Sequence, residues 1–291
     1  MIDCWLASPY YPQNGNKVES HWFLTKPTDL ILTHLPKKSM DQLLQSPISP
    51  AAFFSFPYVR VPFFSHRIQL LAYHTQPRDQ GLFYISLKLP SKNIGCYVET
   101  EGEDGSLVRG LAQCLLDSQD NRICKIKAIL PPYQSSGWIK IYAGPKIVPT
   151  SSTGHHHQHQ EIVNKTHYPL ALCVRVSNPY PQEEAFSFVN LYVDPNEFYI
   201  QEPQCHQLFP LQTYQFCIKA NRSDYRATHH KLAIKSPTGK LSKLMYCPQD
   251  QTYDGTVTIT ETGKWSLICL LHQTGGSYTV ANWSCTLPFA K

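Results

Sequence analysis

The chain has no CxxC pair, no Gly-rich phosphate loop, no long apolar run and few charges. Each absence excludes a class of function. A transmembrane helix needs roughly 20 consecutive apolar residues, and no such run occurs, so no membrane partner is expected. Residues 1–11 (MIDCWLASPYY) carry no basic stretch ahead of an apolar one, so they do not read as a secretory leader. Without G-x-G-x-x-G or a P-loop pattern, no phosphate cradle and no cofactor are expected. Charged residues are 16% of the chain and the net charge is only +5. The basic residues form no stripe interleaved with aromatics, so nucleic acid is not the expected partner. Ten Cys in 291 residues are too sparse for a disulfide scaffold. The thiols are therefore expected to be reduced and the protein cytoplasmic.

The chain is instead rich in Pro (23) and Tyr (17), with hydrophobic residues at 42%, enough for packed cores. This composition points to strands and turns. Strand-length segments run from IQLLAYHT through GLFYISLKLP, IGCYVETEG, SLVRGLAQCLL and ICKIKAIL to GWIKIYAGP. Turn chemistry such as QPRD, EDG and DSQDN separates them. A second series, from LALCVRVS to YTVANWSCTLP, repeats the pattern. The expected fold is all-β, with two antiparallel sandwiches behind a short mixed N-terminal connector. The expected boundaries are 1–51 for the connector, 52–147 for the first sandwich, 148–160 for a His-rich linker and 161–291 for the second sandwich. In the connector, SMDQLLQ reads as one or two helical turns with Ser39 as N-cap. A short echo, Gly137-Trp138-Ile139-Lys140-Ile141 against Lys264-Trp265-Ser266-Leu267-Ile268, suggests that both Trp residues pack between sheets.

The most distinctive stretch runs from His21 to Phe64. It has an aromatic-apolar run with Pro, then THLP and QLL, then FSFPYVRVPFF. This order resembles the connector that follows the catalytic core in transglutaminase-like proteins of the kyphoscoliosis peptidase and hillarin family. The resemblance implies that both sandwiches are immunoglobulin-like and that the partners are cytoskeletal or cortical proteins. Only twenty residues precede the connector, so the catalytic core is expected to be largely missing from this chain. Asp3-Cys4-Trp5 resembles the end of that core, and Asp3 is carried over as a remnant of the triad acid. The match departs from the family in having one residue, rather than two, between Asp and Trp, and in having no Gly after the Trp.

Such a site needs a Cys nucleophile, a His to take its proton and an Asp to orient the His. Neither nucleophile nor base stands upstream of Asp3. Cys205-His206 and His229-His230 are the other conspicuous candidates, but neighbours on a strand face opposite ways. Cys96, Cys114, Cys124, Cys173, Cys217 and Cys269 sit in apolar strand patterns and read as small buried hydrophobes. The chain is thus not expected to be an enzyme.

The only dense metal-ligand cluster is His155, His156, His157 and His159. Imidazoles on a loose loop bind Zn²⁺ weakly, whereas structural zinc sites fix their ligands on ordered backbone. The segment reads as a polar linker. Phe53, Phe54, Phe56, Phe63 and Phe64 read either as an exposed partner site or as an anchor onto the first sandwich. The expected function is a non-catalytic protein-interaction module, probing protein partners through sheet faces, loops or edges. Two alternatives remain at this point. One is the accessory part of a longer transglutaminase-like cysteine peptidase. The other is an extracellular adhesion module, suggested by sequons at Asn164, Asn221 and Asn282.

Overall fold

The computed structural model describes residues 3–146, 168–192, 198–221, 230–271 and 276–287. The chain is mostly β. Four short helices lie in its first part: α1 (Cys4–Ala7), α2 (Pro27–Leu30), α3 (Pro50–Ser55) and α4 (Val61–Ser65). Pro at the first turn of α2, α3 and α4 starts each of them, since its fixed φ suits a helix and its missing N–H has no partner to lose there.

The first group of strands is β1 (Tyr58–Val59), β2 (Gln69–Tyr73), β3 (Phe83–Leu89), β4 (Ile94–Gly102), β5 (Leu107–Arg109), β6 (Leu111–Leu116), β7 (Arg122–Ala128), β8 (Ser136–Pro145) and β9 (Leu170–Ser177). They make a five-stranded sheet, β1-β9-β8-β4-β5, and a four-stranded sheet, β2-β3-β7-β6. Between these sheets lies one core. In β3, Phe83, Ile85, Leu87 and Leu89 point inward while Tyr84, Ser86 and Lys88 alternate outward. Ile126 and Ala128 of β7, Ile139 and Ile141 of β8, and Leu172 and Val174 of β9 complete it.

The second group is β10 (Asn190–Leu191), β11 (Phe198–Glu202), β12 (Gln207–Leu208), β13 (Thr213–Ala220), β14 (His230–Lys235), β15 (Leu241–Lys243), β16 (Met245–Cys247), β17 (Thr252–Thr258), β18 (Gly263–Leu271) and β19 (Ser277–Cys285). One sheet runs β10-β19-β18-β14-β15, with β12 pairing parallel to β19, and the other runs β11-β13-β17-β16. Phe216, Ile218, Ile234, Trp265 and Trp283 fill the core between them. Phe216 and Trp283 meet edge to face at 5.2 Å, a favoured aromatic geometry.

Several expectations are corrected here. Leu170–Ser177, assigned from sequence to the second sandwich, is β9 and pairs along its length with β8 of the first sheet. The boundary at 161 read from the polar linker therefore fails, because hydrogen-bonded pairing carries the first sheet past it. SLVRGLAQCLL, read as a single strand, divides at Gly110. Leu107–Arg109 pairs with β4, whereas Leu111–Leu116 pairs with β7 in the opposite sheet. A Cβ at Gly110 would lie 2.8 Å from the Lys127 carbonyl, so the sheet switch needs glycine.

The Trp echo also fails, by parity. On β8, Ile139, Ile141 and Ala143 face the core, which turns Trp138 outward onto Arg175, with 5.5 Å from guanidinium carbon to ring. On β18, Trp265 is itself core-facing, and its Nε1–H donates to the Glu261 carbonyl at 2.9 Å. Finally, Ser39–Gln42 is a single 3₁₀ turn in which Ser39 does not cap. Buried Gln42 closes the following loop instead, donating to the Ile48 carbonyl and accepting its N–H at 2.9 and 2.8 Å.

Candidate functional site

Asp3 sits at the start of α1, where its Oδ1 accepts the Leu6 N–H at 2.8 Å. That is an N-cap, filling one of the free donors of the first turn. Its other oxygen, Oδ2, meets His34 Nε2 at 2.7 Å, and His34 Nδ1 meets Thr33 Oγ1 at 2.7 Å. Burial works to raise the Asp3 carboxyl, but the Leu6 amide and His34 outweigh it and hold it below its ordinary value. Trp22 packs edge-on against His34 at 5.6 Å and is itself buried. The predicted triad acid thus has a histidine, but one that follows it by 31 residues. Sequence reasoning missed His34. The only signal was its place in the THLP turn, and nothing local ties that turn to residue 3.

Both His34 nitrogens are engaged, by a carboxylate and a hydroxyl, so neither is directed at a thiol. Cys4, beside Asp3, is exposed. The cleft next to this pair measures about 630 Å³ and is lined by Leu6, Tyr11, Trp22, His34, Tyr58 and Arg60 among others. It lies where the N-terminal segment meets edge strand β1.

The aromatic candidates divide. Phe63 is buried in the first core, and Phe64 packs against that core while stacking on His21 at 4.5 Å. Phe53 and Phe56 are half-buried. Phe54 alone is open, at 80% exposure. For Phe63, the reading as an exposed partner site is therefore replaced by that of an anchor. Pro62 stands in the first turn of α4, which packs on β8 and β9 and buries Phe63. His155, His156, His157 and His159 lie outside the described residues. Among the described residues no cluster of His, Cys, Asp or Glu is arranged to hold a metal. His206 points its Nδ1 at Asn282 O and Asn190, and burial pushes the Cys205 thiol up, so that adjacent pair is not brought together for catalysis.

The two groups of sheets are joined by a polar seam that the sequence did not announce. Gln113 of β6 donates through Nε2 to the Ile200 carbonyl at 3.0 Å and accepts the Ile200 N–H at 2.8 Å. Asn221 accepts the Leu116 N–H and donates to the Cys114 carbonyl. Arg109 donates to Asn190 Oδ1 at 2.9 Å. Leu111 and Ile129, from the first group of strands, belong to the second core. Beside the seam is a polar cleft of about 820 Å³, lined by Asp117, Asp120, Lys219, Asp250 and Asp254 among others.

Two of the three sequon asparagines are spent in this architecture. Asn221 and Asn282 are only 5% exposed, and Asn282 Nδ2 donates to the Tyr192 hydroxyl at 2.7 Å. A glycan on either would displace these bonds. All ten cysteines are free.

The profile of the CYK3 C-terminal Ig-like domain matches residues 191–285. The chain is 24% identical over 310 residues to cytokinesis protein 3 of Schizosaccharomyces pombe, an alignment covering 97% of this chain and 33% of that protein. It is 26% identical over 299 residues to cytokinesis protein 3 of Saccharomyces cerevisiae, covering 92% and 32% respectively. The chain spans about a third of the length of these curated relatives.

Proposed function

We propose that this chain is a non-catalytic protein-interaction module that works in cell division, in the cytoplasm, through cytoskeletal partners. The observation that carries this reading is the reach of the similarity. Two proteins named for cytokinesis align with nearly the whole chain, connector included. The finer reading is of two immunoglobulin-like sandwiches, divided between residues 177 and 188. In support, one core ends with Val176, and the other is drawn from Phe188 onward apart from Leu111 and Ile129. Residues 21–64 are read as a connector of the transglutaminase-like kind on the order of their motifs, with Phe63 as its anchor.

The absence of catalysis is part of the proposal. Its support is the closed Thr33–His34–Asp3 chain of contacts, which engages both His34 nitrogens and leaves neither for a nucleophile. A fluorescent fusion of the full chain, expressed in dividing fission yeast, should concentrate at the division site. A signal that stays diffuse through the cell cycle would overturn the cytokinesis reading. Amidase or transglutaminase turnover abolished by alkylating Cys4 would overturn the non-catalytic one.

A further inference from the structure

Three thiols that the function does not use meet inside the first sandwich. Cys114 of β6 and Cys124 of β7 stand directly opposite each other in an antiparallel pair. Directly opposed residues share one face of the sheet. Here that face is the core side, where Cys124 is fully buried and Cys114 half-buried. Cys96 of β4, from the opposite sheet, packs against the same core. The charged and titratable groups around Cys114 are Arg122 and Lys146, with Tyr168 also nearby.

We propose that Cys114 and Cys124 are an oxidation site, a dithiol that a hydroperoxide converts into a cross-strand disulfide beneath the seam joining the two groups of sheets. Opposed Cα atoms in an antiparallel pair lie about 4.5 or 5.5 Å apart, and both separations fall within the range of about 4.4–6.8 Å that a disulfide accepts. The hydrogen bond from Cys124 and the cations Arg122 and Lys146 favour the Cys114 thiolate, bringing that thiol down to about 7. Two other thiols are held protonated: burial pushes buried Cys173 up to about 11, and desolvation with Asp254 pushes half-buried Cys217 up to about 12. Cys114 is therefore the attacking group and Cys124 the resolving one.

The chemistry closes in two steps. The Cys114 thiolate attacks the peroxide O–O bond and takes one oxygen as sulfenic acid, releasing the other oxygen as hydroxide or alkoxide. The Cys124 sulfur then attacks the Cys114 sulfur and displaces hydroxide, which leaves as water with the Cys124 proton. The two thiols together lose two electrons, and the peroxide is reduced.

The bond would act on the seam. Opposed Cβ atoms must close by about 1 Å to reach disulfide distance, which draws β6 toward β7. The Cys114 carbonyl is the acceptor for Asn221, and the neighbouring Gln113 holds both backbone groups of Ile200.

The test treats the full chain with hydrogen peroxide, blocks remaining thiols and digests with trypsin without reductant. The expected product is a reducible link between peptides 110–122 and 123–125, absent from the Cys114→Ser variant, with amide exchange at Ile200 raised several-fold. Exposed Cys4 reports oxidation that needs no neighbour. A link from Cys96 to Cys124, oxygenation of Cys114 without a link, or oxidation of Cys4 alone would overturn the proposal. A correct link with unchanged exchange at Ile200 would overturn its action on the seam. The mapping uses the unaltered protein, so it stands even where the variant fails to fold.

Discussion

At the scale of single residues, Asp3 shows how little a side chain's role follows from its neighbours in sequence. It caps α1 and pairs with His34, so Asp3→Ala removes both at once. The expected loss is about 1 kcal/mol from the cap, plus a smaller share from the His34 hydrogen bond, read from denaturant midpoints. The pH dependence has a definite sign. The folded carboxyl titrates below its ordinary value, so its contribution is in force above the ordinary carboxylate range. It goes as pH falls through the lowered folded value. The native chain and Asp3→Ala should therefore converge in stability at the acid end; a gap that widens there would contradict the pairing.

Trp138 and Trp265 make a second contrast at this scale. Similar sequence contexts place one outward and the other in the core. Trp265→Ala should cost about 3–5 kcal/mol by leaving a cavity. Trp138→Ala should cost only about 1 kcal/mol, largely its contact with Arg175. Equal losses in thermal melts would mean that the parity is wrong.

At the scale of elements, β6 is the informative strand because both its faces are used. Ala112 and Cys114 face the first core, while Leu111 and Gln113 face the second group of sheets. A strand hydrophobic on one side alone could be read from alternation, but LAQCLL does not alternate cleanly. Its polar member is buried because it finds two backbone partners on another strand. Gln113→Ala strands the buried Ile200 N–H, while the Ile200 carbonyl keeps the Gln204 amide donor at 2.8 Å. The expected cost is about 1–3 kcal/mol. Hydrogen exchange should locate the weakening at Ile200 rather than along β3 and β7; uniform loss of protection would argue against a local seam.

At the scale of the whole molecule, the seam is expected to make the two sheet pairs unfold as one cooperative body. Shared core residues Leu111 and Ile129, together with the Gln113, Asn221 and Arg109 bonds, couple their unfolding. A single denaturant transition, seen alike by tryptophan fluorescence and far-ultraviolet dichroism, is the expected result. The double variant Gln113→Ala, Asn221→Ala should separate it into two. Two transitions in the unaltered chain would show that the groups of sheets unfold independently.

The sequence by itself determined the class of the fold. Alternating apolar residues, turn chemistry and sparse charge require strands, and segments such as FYISLKL show their inward face directly, because side-chain direction in a strand has a period of two. For Phe63 and Phe64 the sequence left two readings, partner site or anchor, and packing against the first core decided between them. Only the tertiary structure decided the pairing of β9 with β8, the sheet switch at Gly110, the His34 partner of Asp3, and the meeting of Cys114 with Cys124. Each depends on backbone hydrogen bonds or side-chain contacts between residues distant along the chain. Local pattern has no access to which strand lies beside which, and the pairing is what brings chemistry together.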